Sequence, residues 1–342
     1  MDRAVVFSVG FCILVVLIVP SVLVRGCDFE IAPRERAAGP NIRVFMVSTG
    51  QTVEMPLDEY VRGVGAAEMP ASFGLEALKA QAVAARTFAV RRMRQFGGPG
   101  CTAHAGADVC TDSQHCQAWV SDDELRKRLG YLEYYAYVRK IASAVESTSG
   151  KVVTYQGKPI EAYYHAASGG STENSEDVWQ TAVPYLRSVS TQFEAKEPSF
   201  QERVEFTVDE LEKKLGVKLT QKKVRTYKVA GKDVQVVAEE KMDRPIEVLS
   251  ASPTGRVKEI RIGDKIFSGF SLREALGLRS TKLTYQMTGD KVSFTTTGYG
   301  HGVGMSQYGA QAMAQAGKTY VDILKHYYTG TEVTTLAGIE SR

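Results

Sequence analysis

Net charge is almost absent from this chain: 42 Lys and Arg stand against 39 Asp and Glu, a formal balance of +3 over 342 residues. That excludes the strongly basic footprint of a nucleic-acid-binding protein. The metalloprotease pattern H-E-x-x-H is missing, as is the Gly-Lys-Ser/Thr ending of a P-loop. Gly298, Gly300, Gly302 and Gly304 alternate in GYGHGVG, which also fails the G-x-G-x-x-G dinucleotide spacing. A nucleotide site is therefore disfavoured, although a glycine loop at a helix start can still hold an anion. No internal repeat or low-complexity tract is present. Cysteine and histidine are scarce, five of each, yet three Cys and two His fall between Cys101 and Cys116. The remainder, 44% apolar and 24% charged, is that of a globular protein with enough chain for one large domain or two.

The most informative stretch is YVRGVGAAEMPASFGLEALKAQAVAARTF, Tyr60 to Phe88. Pro56 suits the first position of a helix, and Asp58 and Glu59 suit its positively polarised first turn. Leu57, Val61, Val64 and Glu68 follow at helical spacing, so Glu68 continues the apolar stripe. Pro70 disfavours helix at the residue before it, so the carboxylate lies where this helix stops. A second helix is predicted from Leu75 to Gln95, with Arg91, Arg92 and Arg94 in its last turns and Gly97-Gly98-Pro99-Gly100 ending it. A carboxyl in an apolar wall has its pKa raised, as a general acid needs near neutral pH. The plainer alternative is a helix-end Glu that reaches solvent or an Arg.

Two further blocks accompany this one: YYHAASGGSTENSEDVW from Tyr163 to Trp179, and GYGHGVGMSQYGAQAMAQ from Gly298 to Gln315. Together, in this order, the three resemble the stage II sporulation protein D family, the SpoIID/LytB domain, over about Asn41 to Glu332. The stretch from Ser199 to Val292 matches more loosely. The resemblance implies a membrane-anchored lytic transglycosylase that cuts peptidoglycan glycan strands during engulfment in endospore-forming bacteria. The family's catalytic glutamate lies in its AAEMP block, here Glu68. The resemblance also implies the mother-cell membrane as location, and as partners a peptidoglycan amidase (stage II sporulation protein P) and a membrane scaffold (stage II sporulation protein M).

Ala4 to Val24 is a run of 21 residues without charge, between Arg3 and Arg25, and a helix of about 20 residues spans a bilayer core. It exceeds the apolar core of a cleaved signal peptide and no A-x-A site follows, so residues 1–25 are expected to form a single-pass signal anchor with the rest extracytoplasmic. Cys27 offers a lipid-attachment alternative that Arg25 fits poorly. Residues 26–40, with two prolines and no apolar period, are expected to be a tether.

The expected fold is α+β: a mixed helical and β core holding the cleft, at 41–200 and 292–335, with a smaller β-rich insertion at 201–291. Ile42 to Val47 reads as a strand and Ser121 to Glu146 as amphipathic helix. Lys151 to Tyr155 and Ile160 to His165 read as a hairpin joined through Gly157. In the insertion, Thr207 with Glu210 and Ser271 with Glu274 make capping-box patterns, between short alternating runs such as Val224 to Val229, Val234 to Val237 and Val257 to Ile262. Met305 to Ala316 is the expected closing helix, followed by Tyr320 to Tyr328.

In CTAHAGADVCTDSQHC, His104, Cys110, His115 and Cys116 form a Cys₂His₂ set for zinc, with Cys101 as a fifth candidate. The resemblance adds weight, since some members carry a zinc site with this H-x₅-C-x₄-H-C arrangement. A disulfide and free thiols are the alternatives. Four protein ligands leave no open position for water, which makes the site structural or regulatory and argues against a zinc hydrolase.

Around the cleft, His165, Ser168, Gly169, Gly170 and Thr172 follow the hairpin, where loops carry binding groups on a rigid scaffold. The alternative for this loop is a tight turn that needs glycine torsions. Tyr163 or Tyr164 offers an aromatic face to a sugar, while its neighbour points into the core. His301 reads as orienting sugar or carboxylate, or else as a packed histidine, and Ser306 and Gln307 are substrate-binding candidates at the helix start. Arg86 reads as a ligand for an acidic sugar substituent, or as a partner for Asp58 or Glu59. Glu68 alone stands out as a carboxylate in the three blocks, with Glu173 and Asp177 in a polar loop as candidate partners. A hydrolytic glycosidase usually uses two carboxylates flanking the bond. One suffices when the C6 hydroxyl of the muramic acid is the nucleophile, the reaction that the resemblance implies. The competing reading is a non-catalytic glycan-binding module that stimulates a peptidoglycan amidase, and a zinc amidase or protease comes third.

Overall fold

Strand β1 (Asn41–Met46) alternates buried Ile42 and Val44 with exposed Asn41 and Arg43, the period of a strand with one covered face. The computed structural model describes residues 39–339, apart from 71, 192, 193 and 195–199. Contacts divide the chain into Met1–Pro40 and Asn41–Arg342, and the architecture below is that of the second unit. The expected anchor, and the tether as far as residue 38, lie outside the described residues. Among the described residues, no helix is long and apolar enough to cross a membrane. Helices and mostly antiparallel strands are mixed along the chain, an α+β arrangement.

Strand β1 pairs with β2 (Gln51–Pro56) through a turn at Gly50. Helix α1 (Leu57–Glu68) follows directly, with Asp58 and Glu59 in its first turn and Leu57, Tyr60, Val61 and Val64 buried. It stops as predicted: Met69 is extended at φ −113°, ahead of Pro70. Helix α2 (Leu75–Arg92) is buried on every side through its middle, because its alanines let neighbours approach. It ends three residues short of the predicted Gln95, since Met93 is extended and Arg94–Phe96 forms a 3₁₀ turn closed by Gly97 in the left-handed region.

Strand β3 (Val109–Cys110) adds in parallel to β1 and so fixes the cysteine loop to the sheet. The helical stretch expected after that loop comes as two helices, α3 (Asp122–Leu129) and α4 (Tyr131–Ser147), separated at Gly130 where φ is +75°. Helix α2 is surrounded by α1, α4, β4 (Lys151–Tyr155) and two C-terminal helices described below. The turn forms where predicted, with Gln156 and Gly157 both at positive φ, but the arm that pairs with β4 is β5 (Lys158–Pro159) and not the expected Ile160 to His165. The chain then forms β6 (Tyr164–His165), followed by the short helix α5 (Ser175–Trp179).

A second apolar core, from Phe206 to Phe294, is separate from the main one. Around it lie β7 (Gln201–Thr207) and α6 (Val208–Leu215), the latter with the predicted Thr207–Glu210 capping box and Gly216 at its end. A two-stranded ribbon follows, β8 (Thr220–Val229) with β9 (Lys232–Lys241), and then the sheet β10 (Ile246–Ala251), β11 (Val257–Ile262) and β12 (Lys265–Ser268). Helix α7 (Gly269–Leu276) starts earlier than Ser271 and Glu274 suggest, because Ser268 caps it by accepting from the Ser271 N–H. Strands β13 (Leu283–Thr288) and β14 (Lys291–Thr297) pair, and β14 also pairs with β7.

The chain returns to the main core through β15 (Met305–Ser306), which runs parallel to β6 in the register Met305↔Tyr164 and Ser306↔His165. This short ladder joins the second and third sequence blocks. Helices α8 (Gln307–Gln315) and α9 (Tyr320–Tyr327) then pack on α2, and β16 (Glu332–Thr335) pairs with β4.

Candidate active site

Glu68 is the last residue of α1, partly buried, and its carboxylate is held from two directions. The Ala118 N–H donates to Oε1 at 3.2 Å, and Gln307 Nε2 donates to Oε2 at 3.3 Å. Tyr164 lines the same cleft as Glu68, its hydroxyl accepting from Gln117 Nε2 at 2.9 Å. Burial raises the Glu68 pKa above its ordinary 4.5, against the pull of the Ala118 and Gln307 hydrogen bonds. The close approach behind this depends on Gly63: a Cβ there would lie 2.2 Å from Trp119 Nε1. Without one, residues 117–120 run along α1, tied by Val120 N–H to Gly63 O at 3.2 Å, and Ala118 reaches Glu68.

The carboxyl opens into a cleft of about 900 Å³. Tyr163, Tyr164, His165, His301 and Gln307 line it with Glu68. So do Trp179, Phe270 and Tyr299, large aromatic side chains left exposed to solvent. Trp179 lies against Tyr163 at 4.7 Å and against His301 at 5.1 Å between ring centroids. Exposed aromatic faces give a ligand in this cleft large apolar surfaces to pack on.

Both cleft histidines are neutral and internally bonded. His301 accepts from the Val303 N–H at Nδ1 and reaches Tyr164 O from Nε2 at 3.0 Å, and burial lowers its pKa to about 4. His165 spans Val303 O and Ser168 Oγ, and burial pushes its pKa well down. Of the two readings of His301, the packed one describes its nitrogens; its ring still forms part of the cleft wall.

Beside the cleft, the sulfurs of Cys101, Cys110 and Cys116 and His115 Nδ1 lie within 4.8 Å of one another. His115 Nδ1 is 3.6, 3.4 and 3.3 Å from the three sulfurs in turn, while Nε2 bonds Thr102 Oγ1 at 2.8 Å and so orients the ring. This set could hold a metal ion, and three sulfurs with one imidazole nitrogen suit a closed tetrahedral site. It corrects the expected ligand set. His104 lies outside the cluster, stacked on Phe45 at 3.7 Å, and Cys101 stands in its place. Burial and the neighbouring thiols push Cys110 and Cys116 up, a repulsion that a bound cation would reverse.

A family model described as "Stage II sporulation protein" matches residues 47–155. Stage II sporulation protein D of Bacillus subtilis is 41% identical over 299 residues, covering 87% of this chain and 80% of that protein. Its counterpart in Bacillus amyloliquefaciens is 38% identical over 347 residues, covering 95% and 94%. This chain belongs to the stage II sporulation protein D family. A Bacillus subtilis protein named "Amidase enhancer" is 31% identical over 313 residues, covering 80% of this chain and 40% of its own length.

In this family member, several expected substrate ligands belong to the framework instead. Arg86 is fully buried: it pairs with Asp58 at 2.8 Å and donates to the carbonyls of Val145, Thr148 and Lys151. Its location inside α2 removes it from the cleft, and the Asp58 alternative holds. Ser306 is buried and caps α8, and Thr172 is buried against the 187–189 segment. Ser168 and Gly169 donate their backbone N–H groups to Glu194, a buried carboxylate that sequence reading missed for want of any motif around it. Gly170, at φ +113°, makes the turn that the plainer alternative requires. Glu173 and Asp177 are engaged by Arg256 at 3.3 Å and Lys258 at 3.1 Å. Trp179 closed the second block in the sequence, but only the fold puts it beside His301.

Proposed function

We propose that this protein is a lytic transglycosylase acting on peptidoglycan strands, with Glu68 as its single acid and base. The observation that carries this is the half-buried Glu68 carboxyl, raised in pKa, in a cleft walled by exposed aromatic rings. Protonated Glu68 gives its proton to the glycosidic oxygen between N-acetylmuramic acid and N-acetylglucosamine, and the C1–O bond breaks. The resulting carboxylate is held by Gln307 and Ala118, which oppose the cost of burying it. It then takes the proton from the muramic C6 hydroxyl as that oxygen bonds C1. The product is a 1,6-anhydro end, with no water consumed. Since Glu173 and Asp177 are both tied to cations of the 256–258 segment, the two-carboxylate hydrolytic scheme loses its named candidates.

The proposal includes zinc in the Cys101–Cys110–His115–Cys116 set, as a brace for the 116–118 segment that bonds Glu68. It also includes a membrane-anchored, extracytoplasmic protein, supported by the charge-free run from Ala4 to Val24. Stage II sporulation proteins P and M are proposed partners on the strength of the family resemblance. Digestion of purified glycan strands, with the new ends identified by mass spectrometry, tests the activity: 1,6-anhydro ends are expected, and reducing ends would refute the lyase. The second reading, a glycan-binding stimulator of an amidase, is favoured by the relative named "Amidase enhancer". It requires that strands stay intact while a cognate amidase speeds up.

A further inference from the structure

A second cavity, of about 340 Å³, lies at the C-terminal end of α2 and is lined by Arg91, Arg92, Gly100, Thr102, His115 and Glu161. His115 also lines the main cleft, so the two adjoin. One carboxylate serves two guanidiniums here: Glu161 takes Arg91 Nε at 3.2 Å and Arg92 Nη1 at 3.3 Å. Among the described residues no second carboxylate pairs with either guanidinium, which leaves one positive charge over. Among the described residues Arg91 bonds only through Nε, which leaves the two Nη groups of its planar fork their hydrogens. Arg92 is fixed more firmly, with its guanidinium 3.5 Å over the Phe88 ring, and Phe88 lines the main cleft. A preset, partly shielded guanidinium fork matches a carboxylate in bidentate geometry.

We propose that Arg91, supported by Arg92, forms a subsite for a carboxylate of the glycan substrate, next to the cleft that holds Glu68. It rests on the reading of that cleft as a glycan site and adds what the strand must carry. The carboxylate has two sources: the lactyl group of muramic acid, free only where the stem peptide is gone, or an acidic residue of a stem peptide still attached.

The test is binding, so that it does not depend on turnover. Full-length protein carrying Glu68→Gln is titrated with a neutral N-acetylglucosamine tetramer, with a naked muramic acid-containing tetrasaccharide and with the same tetrasaccharide bearing stem peptides. Adding Arg91→Gln should weaken a carboxylate-bearing ligand by about 10-fold and leave the neutral tetramer within about twofold. Arg91→Lys should recover part of the loss, since it restores charge but not the fork. Loss confined to naked strands assigns the lactyl carboxylate, and loss confined to peptide-bearing strands assigns the peptide. Esterifying the ligand's carboxylates should weaken it by a similar factor on the protein without the Arg91 change, which needs no variant at this site. Equal losses for neutral and acidic ligands, or no effect of esterification, overturn the subsite while leaving the glycan reading intact. Failure of all three ligands to bind overturns both.

Discussion

Gln307 Nε2 lies 3.3 Å from Glu68 Oε2, although 239 residues separate the two in sequence. Burial raises the carboxyl's pKa, while the amide stabilises the anion that forms when the proton leaves. Gln307→Leu removes the second effect and keeps the first. The Glu68 pKa should then rise further, and the high-pH limb of the cleavage profile should move up by about one pH unit or more. The maximal rate should fall, because the anion formed on bond breaking is less well held. A pH–rate profile with an unmoved limb would remove Gln307 from the machinery.

Glu68→Gln should abolish strand cleavage, a loss of about 10²-fold or greater, because an amide cannot deliver the proton. It should also change stability in a particular direction. Since the folded-state pKa is raised, Glu68's contribution is fully present below its ordinary value of 4.5 and is lost as pH rises through the raised value. The Gln variant should therefore gain on the parent in Tm as pH climbs from about 4.5 toward neutral. Melting curves across that range check the sign, and a gap widening toward acid would refute it.

Glu68 was legible because its position depends on local facts, helical spacing and a following proline. The same holds for the Thr207–Glu210 cap and the turn at Gly157. Arg86 was ambiguous for the opposite reason. Its spacing on α2 says nothing of whether the cleft or the 145–151 segment lies alongside, and the packing of α4 and β4 decides it. His104 shows the limit for loops, where ligand spacing in sequence leaves the choice between His104 and Cys101 to the turn at 104–107. Trp179, Gln117 and Glu194 carry no local signal of their roles, since each acts on residues far away in the chain.

Arg86→Ala should destabilise the fold by about 2–4 kcal/mol, since it leaves Asp58 and three carbonyls without their donor. The partial exposure of Asp58 keeps the cost at the lower end of what a fully buried pair would lose. Urea unfolding measures it. The KM of whatever folded protein remains should be close to that of the parent, whereas a large rise in KM would restore Arg86 to the substrate site.

Removing a metal that binds only the folded state lowers stability by mass action. A chelator should therefore lower Tm, and Cys110→Ser with Cys116→Ser should abolish both metal content and the chelator's effect. Cys101→Ser and His104→Ala separate the two ligand sets. With Cys101 in the cluster and His104 stacked on Phe45, the first should lose metal and the second retain it. Metal analysis of the purified variants decides between them.

Gly302 is the point at which the glycine loop meets Arg256. A Cβ there would lie 2.6 Å from Arg256 Cζ, and the backbone already sits at φ +86°. Arg256 has little freedom to yield, since it is buried and donates to Ser168 O, Ser280 Oγ and Gly300 O beside Glu173. Gly302→Ala should thus cost the backbone strain of about 1–3 kcal/mol plus displacement of that side chain. The loop carries Tyr299, Gly300 and His301 into the cleft, so cleavage should fall even in the molecules that stay folded. Gly317→Ala supplies the comparison, because its φ is +79° but nothing lies within 4 Å of the added carbon. That variant should show the torsional cost alone and keep its activity. If the two behave alike in denaturation and in strand cleavage, Arg256 is not the wall that sets the loop.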